Sequence, residues 1–255
     1  MSTIAIIQAR TNSSRLPKKV LLDLCGKTVL ERVIERVSDA KKIDQVIVTT
    51  TTKKEDNIIT EICQKNNIKY SRGKEEDVLD QFYQAAKLYR ASNIVRITAD
   101  CPMIDPEIID KTIDLYQKEK AGYAVNGIPN SFPEGINVEV FSFSALEKAW
   151  HNTHLKSERE HVTIYLWKNP DIFNKKSLIN KVNLSDHRWV IDYPEDYQFV
   201  KKVFDKLYPQ NPKFRMNDIL NFLEANPEIT KINYHIERDL GLAKSLKEDK
   251  TIEEL

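Results

Sequence analysis

Short apolar runs alternate with helical patterns along the first part of the chain. The runs have the length of strands and lie at residues 4–7, 46–50, 68–71 and 93–98. Between them, apolar positions recur at helical spacing over residues 29–37, 55–66 and 79–86. Strands that alternate with helices predict an α/β fold, because parallel strands need a crossover connection that is usually helical. We therefore expect a mostly parallel sheet flanked by helices.

Capping residues mark two further helix starts. Asp105 precedes Pro106, which combines an N-cap with a proline at the first helical position. Ser157 precedes Glu160 by three residues, which is the spacing of a capping box. We predict helices that begin after Asp105 and after Ser157.

The later part of the chain has shorter and less regular patterns. Residues 172–184 suggest a hairpin or an extension from the sheet, and residues 189–191 suggest another strand. The sequence predicts one domain over residues 1–230, in which residues 123–185 form a substrate or dimerisation extension. Residues 231–255 are rich in charge and are predicted to form a C-terminal tail.

The glycine content excludes the common glycine-rich phosphate loops. The chain has 255 residues but only six glycines, and no two of them are separated by a single residue. A G-x-G-x-x-G dinucleotide turn is therefore absent. Gly122 and Gly127 have the spacing of a Walker loop, but Ile128 and Pro129 follow in place of the required lysine and hydroxyl residue. A polyphosphate ligand would have to be bound by charged side chains.

Charge and cysteine content narrow the class of protein further. Lys plus Arg number 39 and Asp plus Glu number 38, so we expect no binding to nucleic acid or to an anionic membrane. The three cysteines lack C-x-x-C spacing, which argues against a disulfide framework and a thiolate zinc site. The sequence shows neither a signal peptide pattern nor an apolar run of membrane-spanning length. We expect a cytoplasmic protein whose partners are small molecules or another protein.

A cationic loop follows the first predicted strand. Residues 8–19 include Arg10, Arg15, Lys18 and Lys19 together with small hydrogen-bonding residues. In open α/β sheets, ligands bind beyond the carboxyl ends of the strands. Arginine forks and lysine charges can bind a polyphosphate there. The alternative is a solvated basic loop, since charge runs usually lie on the surface.

Two aspartates follow predicted strands. Asp100 comes just after the strand at residues 93–98, and Asp192 comes directly after residues 189–191. Carboxylates in such positions can hold Mg²⁺ together with the phosphate oxygens of a substrate. A turn-forming role of Asp100 before Pro102 is the alternative. Two strand-end aspartates opposite a cationic loop favour a phosphate and metal site.

Several motifs resemble those of known nucleotide-activating enzymes. Residues 9–19 are similar to the N-terminal signature of the CMP-sugar-acid synthetases, which activate acylneuraminate and 3-deoxy-manno-octulosonate. Residues 100–104 and 192–196 resemble the metal motif and the late acidic motif of that superfamily. Similarity to the spore coat polysaccharide cytidylyltransferases is carried by residues 72–79, 133–140 and 159–163.

This resemblance implies a Rossmann-like fold of the nucleotide-diphospho-sugar transferase type with a small hairpin extension. It implies a nucleotidyltransferase that transfers CMP from CTP to a sugar acid or a phosphorylated small metabolite, releasing pyrophosphate, for surface polysaccharide or glycoconjugate biosynthesis. Mg²⁺ is the implied cofactor, and the irregular region at residues 123–185 predicts a homodimer. Ala99 and Cys101 stand where Gly and Glu are usual beside the metal aspartate, which leaves the acceptor open.

The resemblance also implies roles for individual residues. Arg10, Lys19 and Asp100 would be catalytic, and Asp100 and Asp192 would bind Mg²⁺. The residues implied in nucleotide binding are Ala9, Arg10, Ser13, Arg15, Lys19, Arg72, Gly73 and Asp77. The residues implied in acceptor binding are Glu139, Arg159, His161 and Arg188.

Two other functions remain open at this point. His151, His154 and His161 lie close together in the sequence and allow a zinc-dependent hydrolase, although the H-E-x-x-H pattern is absent. The second alternative is a non-catalytic nucleotide-binding module of the same fold.

Overall fold

A computed structural model describes residues 2–251. The strands are β1 (Thr3–Gln8), β2 (Asp23–Leu24), β3 (Lys27–Thr28), β4 (Gln45–Thr51), β5 (Lys69–Gly73), β6 (Asn93–Thr98), β7 (Tyr123–Val125), β8 (Glu139–Ser142) and β9 (Lys175–Ser177). The helices are α1 (Val29–Ser38), α2 (Asn57–Lys65), α3 (Val78–Leu88), α4 (Pro106–Lys118), α5 (Phe143–Asn152), α6 (Lys156–His161), α7 (Ile164–Lys168), α8 (Pro170–Phe173), α9 (Pro194–Leu207), α10 (Met216–Ala225), α11 (Pro227–Thr230) and α12 (Leu240–Lys247). Short 3-10 turns lie at Lys19–Leu21 and Lys54–Asp56.

Seven strands form the main sheet in the order β5-β4-β1-β6-β8-β7-β9. The first four of these are parallel, while β8 runs antiparallel to both β6 and β7. The predicted α/β class is thereby confirmed. The register pairs Gln8 with Thr98, so the carboxyl ends of β1 and β6 lie side by side. The loops that follow these two strands therefore meet at one edge of the sheet.

Both faces of the sheet are buried by apolar side chains. On β1, Ala5 and Ile7 belong to one core cluster, while Ile4 and Ile6 belong to the other. All four side chains are nearly or fully buried. Burial on both faces explains why residues 4–7 show no alternation between apolar and polar positions.

A small antiparallel hairpin is present, but it lies near the N-terminus. It consists of β2 and β3, which pair Asp23 with Thr28. Residues 172–184 instead contain the end of α8 and all of β9, and β9 pairs in parallel with β7 at the edge of the main sheet. Of the two possibilities that the sequence left for this segment, the extension from the sheet is the one observed.

Residues 189–191 do not form the predicted strand. Their backbone groups bind two separate loops: Trp189 N–H donates to Glu134 O at 2.7 Å, and Ile191 N–H donates to Asp100 O at 2.9 Å. These bonds satisfy the backbone without a neighbouring strand. The second bond also fixes Asp192 beside the loop that follows β6.

Helices begin near both predicted starts, but only the first has the predicted cap. Asp105 caps α4 through its side chain. The capping box at Ser157 does not form, because α6 begins one residue earlier at Lys156. The N–H and hydroxyl of Ser157 donate to Asp249, at 3.0 and 2.6 Å. A carboxylate from the C-terminal segment thus replaces Glu160 at this helix start.

Helix length and composition also bear on membrane insertion. Within residues 2–251, no helix is both long enough and apolar enough to span a membrane.

Candidate active site

The cationic loop is anchored at both ends without glycine. Thr11 donates its N–H and its hydroxyl to Asp56 Oδ1, each at 2.7 Å, and Asp56 is buried. Lys18 N–H donates to Thr11 O at 2.9 Å. Lys18 has a φ of 57°, a left-handed conformation that turns the chain into the 3-10 turn that starts at Lys19. The loop therefore presents Lys19 from a fixed backbone.

Lys19 joins the two aspartates that the sequence singles out. Its Nζ donates to Asp100 Oδ2 at 2.6 Å and to Asp192 Oδ1 at 2.7 Å. Arg15 Nη2 lies 2.9 Å from the second oxygen of Asp192. Two carboxylates and two cations therefore converge beyond the carboxyl edge of the sheet, where ligands bind in this class of fold.

The ion pairs keep the Asp100 carboxylate and the Lys19 ammonium charged. Burial by itself raises the pKa of Asp100, but the charge and hydrogen bond of Lys19 outweigh it and lower this pKa to about 2. Burial lowers the pKa of Lys19, yet the carboxylates of Asp100 and Asp192 together raise it above its usual value. At neutral pH the aspartate is ionised and the lysine is protonated.

These groups line a cleft of about 610 Å³, which is within the size range of small-molecule sites. Its cationic lining residues are Arg10, Arg15, Lys19, Arg96, Arg188 and Lys244. Acidic residues also line it, among them Glu75, Asp100, Glu134, Glu160 and Asp192. This mixture of charges suits a ligand that carries anionic groups and brings a cation with it.

The cleft brings together many of the residues that the sequence singled out. Its lining includes Arg10, Ser13, Arg15, Lys19, Asp100, His161, Arg188 and Asp192. The residues outside the lining are Ala9, Arg72, Gly73, Asp77, Glu139 and Arg159. For this second group, a role in binding the nucleotide or the acceptor stays a prediction, and their contacts are with neighbouring protein groups.

Arg72 and Gly73 fix the end of β5. Arg72 donates to the backbone oxygens of Thr51 and Lys53, both at 2.8 Å, which ties β5 to the loop after β4. A Cβ at Gly73 would lie 2.7 Å from Cγ of Gln81, so glycine is needed where β5 passes α3.

Asp77 and Arg159 bind each other. The Nε and Nη2 atoms of Arg159 donate to the two oxygens of Asp77, the first at 2.9 Å. Asp77 also caps α3 by accepting from Asp80 N–H at 2.9 Å. This bidentate pair links α6 to α3 and occupies both side chains.

Arg188 lines the cleft, but its guanidinium is bound within the protein. Its Nε and Nη2 donate to the two oxygens of Asp196, each at 2.9 Å, and its Nη1 donates to Glu134 at 2.7 Å. Asp196 is fully buried and accepts the N–H groups of Asp192 and Tyr193, each at 3.0 Å. Arg188 therefore stabilises the turn that carries Asp192.

Glu139 is buried and holds a cleft residue that sequence reasoning missed. Its carboxylate accepts hydrogen bonds from Arg96, from the Tyr123 hydroxyl and from the Thr163 hydroxyl. Arg96 lies on β6 and lines the cleft. A charged residue between Val95 and Ile97, in the middle of a buried strand, was a sequence signal for a paired arginine, although not for its place in the cleft.

The segment after residue 230 forms one wall of the cleft. Residues 237–248 supply lining residues, and α12 lies among them. Ser245 donates to Glu160 at 3.3 Å, and Asp249 binds the start of α6. The segment that the sequence sets apart as a tail thus packs on the domain through residue 249. Its charged composition gave no signal that located it there.

The histidines do not form a metal cluster. Among residues 2–251, no group of three His, Cys, Asp or Glu side chains is placed to hold a metal ion. His151 packs edge-on against Trp150, with ring centroids 4.7 Å apart, and His154 is exposed. Nothing in the described residues supports the zinc hydrolase alternative.

Solved nucleotidyltransferases share this fold. A cytidylyltransferase from Leptospira borgpetersenii matches with a TM-score of 0.85 and 34% identity, over 90% of this chain and 97% of that one. A CMP:2-keto-3-deoxy-manno-octonic acid synthetase in complex with CTP has a TM-score of 0.64. Its identity is 16%, over 81% of this chain and 100% of that one, so this likeness shows the fold alone. The sheet and the charged cleft at its carboxyl edge define a nucleotidyltransferase-type protein.

The sequence comparisons identify the family. Residues 4–229 match the cytidylyltransferase family. The spore coat polysaccharide biosynthesis protein SpsF of Bacillus subtilis is 31% identical over 230 residues, which are 88% of this chain and 94% of that protein. The chain belongs to the cytidylyltransferase family, which confirms the resemblance carried by the motifs.

Proposed function

We propose that this protein transfers CMP from CTP to a sugar acid or a phosphorylated small metabolite and releases pyrophosphate. The observation that carries the proposal is the position of Lys19, held between Asp100 and Asp192 at the carboxyl edge of the sheet. Arg10 and Arg15 line the same cleft. Phosphoryl and nucleotidyl transfer depend mainly on positioning and on neutralising phosphate charge, and this cleft supplies groups for both.

In the proposed reaction, an acceptor oxygen forms a bond to the α-phosphorus of CTP. The bond between that phosphorus and the oxygen bridging to the β-phosphate breaks, and pyrophosphate leaves with the bonding electron pair. A hydroxyl acceptor gives up its proton to solvent water, whereas a phosphate acceptor attacks through an ionised oxygen. Arg10, Arg15 and Lys19 would bind the triphosphate and offset the charge of the departing pyrophosphate.

Asp100 and Asp192 fit a hard divalent cation. Oxygens of both carboxylates already lie within 2.7 Å of one positive group, the Lys19 ammonium, so the two side chains are spaced to share a cation. Mg²⁺ is commonly bound by one or two carboxylates together with substrate phosphates. When bound, Mg²⁺ would polarise the α-phosphate and stabilise the charge that develops on it.

The name of one relative supports a role for the product. The relative from Bacillus subtilis is named for spore coat polysaccharide biosynthesis. We propose that the activated product of this protein is consumed by a transferase that builds a surface polysaccharide or glycoconjugate, and that the protein acts in the cytoplasm.

Pyrophosphate release tests the proposed activity directly. The four nucleoside triphosphates are each supplied with Mg²⁺ and a panel of sugar acids and phosphorylated metabolites, and turnover is expected with CTP. Asp100→Asn is expected to lower the rate by about 10²–10³-fold, because one of the two carboxylates that would hold Mg²⁺ against the reacting phosphate loses its charge. Asp171→Asn, which changes an exposed aspartate outside the cleft lining, is the control.

Distinct outcomes would contradict distinct parts of the proposal. Turnover with UTP or ATP but not with CTP would refute cytidylyl transfer. Full activity in excess chelator would refute the dependence on Mg²⁺. Binding of CTP without turnover on any acceptor would favour the non-catalytic module.

We further propose that the chain forms a homodimer through residues 123–185. Ile172, Ile179 and Val182 are 51%, 51% and 63% exposed in this extension, and a contact between two copies would remove this apolar surface from water. Light scattering is expected to give twice the chain mass of 29.7 kDa, and Ile179→Glu with Val182→Glu should yield the monomer. A monomeric wild type at micromolar concentration would contradict the proposal. Ile58→Glu, at an exposed isoleucine of α2, is the control.

A further inference from the structure

Two buried nitrogen atoms beside the cleft have no hydrogen-bond partner among the described residues. They are Nε of Arg96 and Nε2 of His161, and both side chains belong to residues that line the cleft. The Arg96 side chain is 16% exposed, so it reaches the cleft while its Nε is closed to water. Native proteins rarely leave buried polar atoms without partners, and each such atom calls for an explanation such as a functional role or an unobserved water or ion.

The guanidinium of Arg96 is oriented by a buried carboxylate. Glu139 accepts from Arg96 Nη1, and it also accepts from the Tyr123 hydroxyl and from Thr163 Oγ1, the latter at 2.6 Å. Tyr123 is fully buried. Because three donors already occupy this carboxylate, Glu139 positions Arg96 instead of contacting a ligand. The opposite edge of the guanidinium, Nε and Nη2, has no protein partner among the described residues. An oxyanion that displaces the groups now covering Nε could accept from it through two parallel hydrogen bonds.

A strained turn holds His161 in place. Val162 has φ 59° and ψ −52°, and Thr163 N–H donates to His161 O at 2.5 Å, which together form a γ-turn of the positive-φ kind. This conformation is a true outlier for a β-branched residue. Backbone strain of this type persists where surrounding contacts fix it, and it is concentrated at functional sites. The residues on either side of Val162 are His161, which lines the cleft, and Thr163, whose hydroxyl donates to Glu139.

The electrostatics of His161 are consistent with a hydrogen-bond donor. Burial lowers the pKa of His161 below its usual value, despite the nearby carboxylates of Glu160 and Glu139. The imidazole is therefore neutral at neutral pH and can donate one hydrogen bond. Arg10, whose Nη2 lies 3.8 Å from Glu160, connects this end of the cleft to the cationic loop.

We propose that Arg96 and His161 bind the anionic group of the acceptor, a carboxylate or a phosphate, and that Glu139, Tyr123 and Thr163 position Arg96 for this task. The inference rests on the proposed transfer to an anionic acceptor. It assigns the acceptor to the end of the cleft that faces α6, with the triphosphate at the end that holds Lys19. Asp77 and Arg159, which bind each other, then have a structural role.

Anion binding can be measured without any turnover. Inorganic phosphate and acetate are titrated separately into the full chain, and the His161 imidazole is followed by NMR and assigned by its absence in His161→Gln. A saturable shift is expected, and Arg96→Met should weaken the binding by about tenfold or more because the charge-assisted fork is lost. Arg215→Met, which changes a half-buried arginine paired with Asp39 outside the cleft lining, should bind like the wild type.

A kinetic measurement separates the acceptor from the nucleotide. With an acceptor that turns over, Arg96→Met should raise the acceptor KM by about 10–100-fold and leave the KM for CTP within about twofold. Arg96→Lys keeps a positive charge beside Glu139, so it tests the fork if the methionine variant fails to fold. Matched sugar acids and sugar phosphates in the panel distinguish carboxylate from phosphate as the bound group.

The possible failures are distinguishable. If no acceptor turns over but phosphate still shifts His161 in an Arg96-dependent manner, the proposed activity fails and the anion subsite stands. If phosphate shifts His161 in Arg96→Met and in Arg96→Lys as strongly as in the wild type, the subsite is refuted whatever the activity. If CTP abolishes the phosphate response, the anion belongs to the triphosphate position and the assignment to the acceptor is overturned.

Discussion

Lys19→Met is expected to lower CTP-dependent pyrophosphate release by about 10²–10³-fold, the usual cost of losing one electrostatic contact to a reacting phosphate. The ammonium of Lys19 bridges Asp100 and Asp192 in the free protein. Its removal leaves two carboxylates facing one another without the cation between them. The pKa of Asp100 should then rise from about 2, because burial is no longer opposed by the lysine. The variant is assayed by initial rates at saturating CTP and acceptor.

Two comparisons decide whether this loss is catalytic. Lys202→Met removes a lysine from the exposed side of α9 and should leave the rate unchanged. Thermal unfolding of Lys19→Met should show a folded protein at the assay temperature. Activity within about threefold of the wild type would contradict a role of Lys19 at the phosphates.

Local sequence patterns were sufficient to predict the parallel half of the sheet. The apolar run at residues 4–7 is buried on both faces as β1, and the patterns of β4, β5 and β6 likewise correspond to strands. The patterns of β1, β4 and β6 follow from burial, so a sequence without relatives still reveals these strands, whereas β5 lies at the sheet edge and is only half-buried. The cationic loop and Asp100 were predictable for the same reason, since their place beyond a strand end follows from the strands themselves.

Asp192 was predicted at the site by an argument that is partly wrong. The sequence suggested that a strand at residues 189–191 carries it to the sheet edge. It is held there by backbone bonds from the segment to Glu134 and Asp100, and by the Asp196 carboxylate. Such bonds join positions that are far apart in the sequence, and no periodic pattern records them. The position was right although the element was not.

The pairing of charged side chains could not be predicted from one sequence. The family resemblance implied that Arg159 and Arg188 bind the acceptor, and in the structure their guanidinium groups donate to Asp77 and Asp196. Which arginine meets which carboxylate depends on the packing of α3, α6 and α9. Arg96 was missed for a similar reason, as its exposure to the cleft becomes evident only once β8 lies beside β6.

Arg188→Met is expected to destabilise the fold strongly and to impair the site at the same time. Removing one partner of a buried ion pair costs about 3–5 kcal/mol, because the other charge stays buried without compensation. Here Asp196 is fully buried and would lose both of its guanidinium bonds, and Glu134 would lose its partner. For a chain of this length, that loss corresponds to a decrease in Tm of about 6–20 °C. Calorimetry on the purified variant measures it.

A second substitution distinguishes charge compensation from lost packing. Asp196→Asn in the Arg188→Met background should recover part of the lost Tm, because the uncompensated charge is removed while the amide oxygen can still accept the N–H groups of Asp192 and Tyr193. Activity at a temperature where the double variant is folded should then return if Arg188 acts by positioning Asp192. Stability without activity would instead indicate that Arg188 itself contacts the substrate. Arg90→Met, at an exposed arginine, should change the free energy of unfolding by no more than about 0.5 kcal/mol.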